Sequence, residues 1–257
     1  MLDSHCHLTD PRLFEQLDGV LDRARQAGVS RMVTIGTDPA DNAAATALCK
    51  DRPDVRCAVG IHPNYCHEID ESELARLRIV QAEPSVVALG EMGLDYHYNF
   101  ADKARQRHFF EKQLELAADL KRPIIIHCRE AFDDCLAVLK GFNGPVVFHC
   151  FTGTLTEGHR VIDAGYLVGF TGVVTFKKSD DIRELARIIP TDRFLVETDA
   201  PYLSPEPMRR QKVNEPSLVV HTAAMIAQVR GVGLDEIDQV TTENAEGFFG
   251  WRVQSHY

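Results

Sequence analysis

At 257 residues, with 44% hydrophobic and 26% charged side chains, the chain has a globular make-up and enough apolar residues for a sizeable core, and no window approaches the roughly 18 consecutive apolar residues of a membrane span. A formal net charge of −10 disfavours broad adhesion to a polyanion, though not a local basic patch. Seven cysteines without a CxxC pair read as reduced thiols rather than a disulfide framework or zinc ribbon, and Met1-Leu2-Asp3-Ser4-His5 lacks a secretory signal, so a cytoplasmic location is expected.

The chain opens on MLDSHCHL (1–8), a strand from which His5 and His7, two positions apart, project on one face. An amphipathic run over 12–28 follows, with Leu13, Leu17, Val20, Leu21 and Ala24 at threes and fours and Gly28 as its stop. The alternation continues with a strand at 31–36, a helix at 43–50, a strand at 55–62, a helix at 71–83, a strand at 86–93 and a helix at 104–121 ended by Leu120-Lys121-Arg122-Pro123. Further strands are expected at 123–128, 145–150, 166–172 and 193–199, and two helices over 217–231 and 234–250 close the chain. Eight strand–helix units in about 250 residues predict an α/β fold, a single-domain (β/α)8 TIM barrel over 1–257 with its site at the carboxyl ends of the strands. A doubly wound open sheet is the alternative.

Against those strand ends the titratable residues fall into one set. His5 and His7 close the first strand, Glu91 the fourth, His127 the fifth and His149 the sixth, and Asp199 follows the eighth. Any one alone reads as a packed or loop histidine, or, before Ala200-Pro201, as a turn former. Six at one mouth predict ligands for one or two divalent first-row ions, zinc or manganese, with magnesium less comfortable among four imidazoles. Cys6, Cys128 and Cys150, each beside one of the histidines, are expected to face the helices as small packed hydrophobes.

The motifs SHCHL (4–8), GIHP (60–63), GEMGLDY (90–96), HCRE (127–130), HCFTG (149–153), ETDAPYL (197–203) and NEP (214–216), in this order over most of the chain, resemble those of the TatD family of metal-dependent deoxyribonucleases. The resemblance implies an amidohydrolase-type barrel with two divalent ions (Mg, Mn or Zn) and exonucleolytic phosphodiesterase activity on DNA, with RNA as a further substrate. One ion would be held by His5, His7, Glu91 and Asp199 and the other by Glu91, His127 and His149, with Glu91 bridging. Two ions about 3.5–4 Å apart activate water, neutralise phosphate oxygens and stabilise the leaving oxygen. In that setting Asp199 is the general-base candidate, and His62 and Arg129, at the ends of the third and fifth strands, are placed to reach phosphate. Their plainer readings are a loop-capping histidine and a surface arginine.

One loop departs from the family's pattern. Where a Gly-Lys-Arg run usually precedes NEP, this chain reads RRQKVNEP, with Gln211 and Val213 replacing the glycine and the second base. Lys212 and Glu215 remain as substrate-binding candidates, and Arg209, Arg210, Lys177 and Lys178 are further cations near the expected rim. Competing functions are an amidohydrolase cleaving a cyclic amide or lactone, an enzyme acting on an ester such as aminoacyl-tRNA, and a catalytically idle barrel that binds a partner or buffers metal. Several amidohydrolase barrels bridge their metals with a modified lysine on the fourth strand, where this chain has Glu91. A monomer is expected.

Overall fold

The computed structural model describes residues 1–251. Eight strands, β1 (Leu2–Cys6), β2 (Arg31–Gly36), β3 (Val55–Val59), β4 (Val86–Asp95), β5 (Ile124–Arg129), β6 (Val146–Phe148), β7 (Leu167–Phe170) and β8 (Phe194–Val196), run parallel in one sheet in chain order. The two sheet edges meet through a parallel bridge between Cys6 and Ala200. The Asp199 amide donates to the His5 carbonyl (2.9 Å) and the His7 amide to that of Ala200 (2.7 Å), giving a nearly closed (β/α)8 TIM barrel. Around and after the strands lie α1 (Pro11–Phe14), α2 (Leu17–Gln26), α3 (Pro39–Cys49), α4 (Ser72–Val80), α5 (Lys103–Leu120), α6 (Phe132–Leu139), α7 (Leu155–Asp163), α8 (Asp180–Ile188), α9 (Val219–Arg230) and α10 (Leu234–Phe249). Among the described residues no single helix is long and apolar enough to cross a membrane.

Alternation along the strands builds two apolar layers. Met32, Cys57, Leu89, Ile124, Ile126, Phe148, Phe170 and Val196 face outward and pack under the helices. Leu2, Val33, Ile35, Ile125, Val147, Leu167 and Leu195 fill the interior together with Phe248 and Phe249 of α10. The interior apolar cluster takes in the amino-terminal parts of the strands, which leaves their carboxyl ends for polar side chains.

Several boundaries differ from the periodicity. The run over 12–28 divides: Asp10 accepts from the Arg12 amide to cap α1, Gln16 leaves helical geometry at φ −130°, and α2 resumes at Leu17. Both pieces still bury the expected residues, so the break is a tertiary turn that leaves no mark in the apolar pattern. β4 runs beyond 93 because Gly93, Leu94 and Asp95 pair with His127, Cys128 and Arg129. β6 and β8 stop early because Cys150 and Asp199 take left-handed φ values of 43° and 54°, which turn the chain off the ladder.

Candidate metal centre

Past the apolar layer the inward positions turn polar. On β5 Ile125 is followed by His127 and Arg129; past β6 Val147 is followed by His149; past β8 Leu195 is followed by Glu197 and Asp199. On β4 Met92 and Leu94 pack outward, which turns Glu91, Gly93 and Asp95 inward. Glu91 therefore sits within β4 rather than at its end. Gly93 (φ 139°) is required because a Cβ there would run into the His127 carbonyl oxygen, and Gly169 because a Cβ would lie 2.6 Å from the Glu197 carboxylate.

The six expected ligands converge in overlapping sets: His5, His7 and Asp199 form one, His5, Glu91 and His149 a second, and His127 joins Glu91 and His62 in a third, so the two expected ion groups run into one another at Glu91 and His5. His5 Nε2 lies 3.5 Å from Glu91 Oε2 and 3.8 Å from Asp199 Oδ1, and His7 Nε2 lies 3.3 Å from the same Asp199 oxygen. These separations exceed good hydrogen bonds; that between His7 and Asp199 falls within the roughly 3.0–3.4 Å between neighbouring ligands of one ion bound at about 2.1 Å, and the two from His5 lie a few tenths of an ångström above it. Both ring nitrogens of His5 are buried without a partner, which costs about 1–3 kcal/mol per group in a sealed site. A cation among His5, His7, Glu91 and Asp199 satisfies Nε2, so the residues fit a divalent ion. In the second group His127 Nδ1 and His149 Nε2 each lie 2.7 Å from Glu91 Oε1, close enough to hold protons where a cation could stand.

A second layer fixes these rings. His127 Nε2 lies 2.9 Å from Asp95 Oδ2, so a carboxylate orients the ring and leaves Nδ1 facing Glu91. Glu197 lies 3.6 Å from His149 Nδ1 and accepts from the Ser4 hydroxyl (3.1 Å) and the Cys150 amide (2.6 Å). Asp3 accepts from the Thr198 hydroxyl (2.6 Å) and amide (3.0 Å), and the Asn214 side chain donates to the carbonyls of Thr198 (2.9 Å) and Tyr202 (2.6 Å). These bonds hold the left-handed Asp199 turn.

Electrostatics follow from burial and from which groups touch. Burial alone would raise Glu91, but the charges of His149 and His62 and the contacts from His127 and His149 hold it well below the usual carboxylate range. Asp199 behaves in the same way, with the His7 contact and the charges of His149, His5 and His7 outweighing burial. Burial opposes a charge on His127, yet the Asp95 and Glu91 contacts raise it to about 9. The rings of His5 and His149 stack at 3.9 Å, so they do not both carry a proton readily: burial and the His149 charge lower His5, whereas Glu91 and Glu197 raise His149.

His62 is also buried. Its Nδ1 accepts from the Asn64 amide (3.0 Å), which fixes the proton on Nε2, 3.5 Å from Glu91 Oε1. His62 thus offers the cluster a hydrogen-bond donor. Arg129 is exposed, with its guanidinium over the Tyr98 ring at 4.9 Å. Lys212 is exposed. The Glu215 oxygens accept from Arg23 on α2 at 2.7–3.0 Å and from Ser217 at 2.5 Å, so Glu215 fastens its loop to α2. Arg209 stacks on Phe176 at 4.0 Å. Cys6 and Cys128 pack outward as expected. Cys150 does not, because its left-handed backbone turns the thiol to Thr171 at 3.5 Å.

Sequence reasoning passed over Asp95 and Glu197. The signal was present, since Asp95 is four residues from Glu91 and Glu197 two from Asp199, the strand spacing that paired His5 with His7.

Comparison with known proteins agrees with this fold. The family described as TatD related DNase matches residues 2–250. The uncharacterized metal-dependent hydrolase YabD of Bacillus subtilis (strain 168) is 36% identical over 97% of this chain and 98% of its own. The 3'-5' ssDNA/RNA exonuclease TatD of Erwinia tasmaniensis is 37% identical over 97% and 99%. The crystal structure of YJJV, a TatD homologue from Escherichia coli K12, superposes with a TM-score of 0.93 at 28% identity, covering 98% of both chains. With a barrel of the same architecture and a buried histidine–carboxylate cluster fit for divalent metal, the chain belongs to the TatD-related DNase family of metal-dependent hydrolases.

Proposed function

We propose that this chain hydrolyses phosphodiester bonds of single-stranded DNA or RNA from a strand end, with two divalent ions drawn from Mg, Mn and Zn. The observation that carries the reading is Glu91: one buried carboxylate presents Oε2 to the His5, His7 and Asp199 group and Oε1 to the His127 and His149 group. Such a bridge suits two cations a few ångströms apart, the arrangement matched to in-line displacement at phosphorus. The name of the Erwinia relative supports an unpaired nucleic acid and the exonucleolytic mode.

When bound, divalent ions would lower the pKa of a water, neutralise the phosphate and stabilise the leaving oxygen. Asp199 faces His5 and His7 from the barrel mouth and, held ionised, accepts the proton of the attacking water. Glu91 and the four histidines would hold the cations, and Asp95 and Glu197 keep two of those rings in register. His62 donates Nε2–H towards a phosphate oxygen, and Arg129 approaches from the rim.

The test is turnover of end-labelled single- and double-stranded DNA and RNA with added Mg²⁺, Mn²⁺ or Zn²⁺, beside an ester and a cyclic amide. Metal-dependent shortening of the single strands, abolished by chelation, is the expected result. Metal-replete protein that cleaves only the ester or amide would overturn the assignment.

A further inference from the structure

Two tyrosines on different loops stand against the metal cluster with their rings open to solvent. Tyr65 follows the Gly60-Ile61-His62-Pro63 turn after β3, and its ring centroid lies 5.7 Å from that of His62. Tyr202 follows Asp199-Ala200-Pro201 after β8 and meets His7 edge-on at 6.0 Å. His62 borders the Glu91 and His127 side of the cluster and His7 borders Asp199, so the tyrosines flank it from both groups. Even so, the two residues are 44% and 47% exposed, so each keeps a large part of its surface open to solvent.

Tyr202 is also fixed from behind. The Arg12 guanidinium lies 4.6 Å from its ring centroid, and Arg12 is pinned to Asp10 by bonds of 2.9 and 2.7 Å. With its charge already paired, Arg12 backs the ring rather than serving as a free phosphate clamp. The Tyr202 amide donates to the Asp199 carbonyl (2.9 Å) and its carbonyl accepts from Asn214 (2.6 Å), so the ring is fixed relative to Asp199. Burial, and for Tyr65 the neighbouring Tyr202 next, keeps both phenols neutral at ordinary pH.

A rigid aromatic face beside a cation site that takes a phosphodiester meets the group attached to that phosphate, a nucleoside. In a duplex both faces of a base are already stacked, whereas an unpaired base offers its face to any aromatic ring, whatever its identity. A chain of net charge −10 gains sequence-neutral grip in this way without relying on many phosphate contacts. Resting on the phosphodiesterase reading, we infer that Tyr65 and Tyr202 are the base-stacking surfaces on either side of the cleaved phosphate and confer the preference for unpaired strands.

The experiment titrates metal-loaded protein with short fluorescent single strands carrying phosphorothioate linkages to slow turnover. One strand has normal bases, and the other has abasic residues at its last two positions. The parent should bind the normal strand more tightly by at least about 5- to 150-fold, the range for stacking one base on an aromatic side chain, and by more where both bases stack. Tyr65→Ala and Tyr202→Ala should each shrink that ratio, whereas Tyr65→Phe and Tyr202→Phe should keep it, because the face matters and the hydroxyl does not. 2-Aminopurine at the last position should be quenched by the parent and less so by the alanine variants. A parent ratio near one, or alanine variants that leave the ratio and the quenching unchanged, overturns the inference even if the protein cleaves DNA. A parent that neither binds nor cleaves the strands overturns the phosphodiesterase reading as well. The abasic comparison in the parent needs no variant, so a misfolded substitution does not decide the outcome.

Discussion

Glu91 and Asp199 are both buried carboxylates held ionised by histidines, yet their neighbours give them separable work. Glu91 touches members of both groups, so Glu91→Gln should lower metal content and rate together. Asp199 contacts only His5 and His7, so Asp199→Asn should keep the ion at His127 and His149 while turnover falls by roughly 10² to 10⁴, the range for a lost general base. Elemental analysis and single-turnover rates on both variants check this, and near-parental rates for Asp199→Asn would remove it from the proton-transfer role. The Asp95–His127 pair adds a pH signature. Burial opposes both charges, but their contact holds Asp95 at about 2, below its ordinary 3.8, and His127 at about 9, above the ordinary 6.5. The carboxylate's contribution to stability is therefore present above about pH 4 and lost as pH falls through 2; the imidazolium's is complete below about 6.5 and lost as pH rises through 9. Thermal melts of chelated protein should lose stability between pH 6.5 and 9 relative to Asp95→Asn. Saturating divalent cation should remove that loss by taking the proton's place. The six ligands were legible because strand alternation projects His5 and His7 together and each other ligand ends an apolar run. Asp95 and Glu197 were not, because a carboxylate next to a turn reads as a loop residue until its histidine is known.

At the scale of elements, the strands that carry ligands are joined by close backbone approach. β4 lies against β5 where Gly93 faces the His127 carbonyl, and that pairing takes β4 two residues further than its apolar run. Gly93→Ala would force a side chain into that carbonyl at a backbone angle that L-residues rarely adopt. It should cost on the order of 2–4 kcal/mol and part Glu91 from His127. Denaturant unfolding together with metal content checks this, and a stable Gly93→Ala protein with full metal would show that the β4–β5 approach is not needed. The β-branched and aliphatic runs made every strand visible in the sequence. The division of 12–28 into α1 and α2 and the anchoring of Glu215 by Arg23 had no such signal, because a tertiary turn and a long-range ion pair leave no period in the chain.

Across the whole molecule, the fold was readable because eight alternations in a chain of this length leave few architectures, and six of the seven TatD motifs fall at or just past the carboxyl ends of strands. What local pattern does not carry is how the sheet edges join. The join runs through the ligand-bearing residues themselves: His5 and His7 accept and donate backbone bonds with Asp199 and Ala200, and Asp3 grips Thr198. During synthesis His5 and His7 leave the ribosome more than 190 positions before Asp199, the carboxylate both of them face. A growing chain therefore cannot assemble that cation site until its eighth strand has docked against its first. Ion capture there would report that the ring has shut, and a product broken off before residue 199 would lack the carboxylate that faces both histidines.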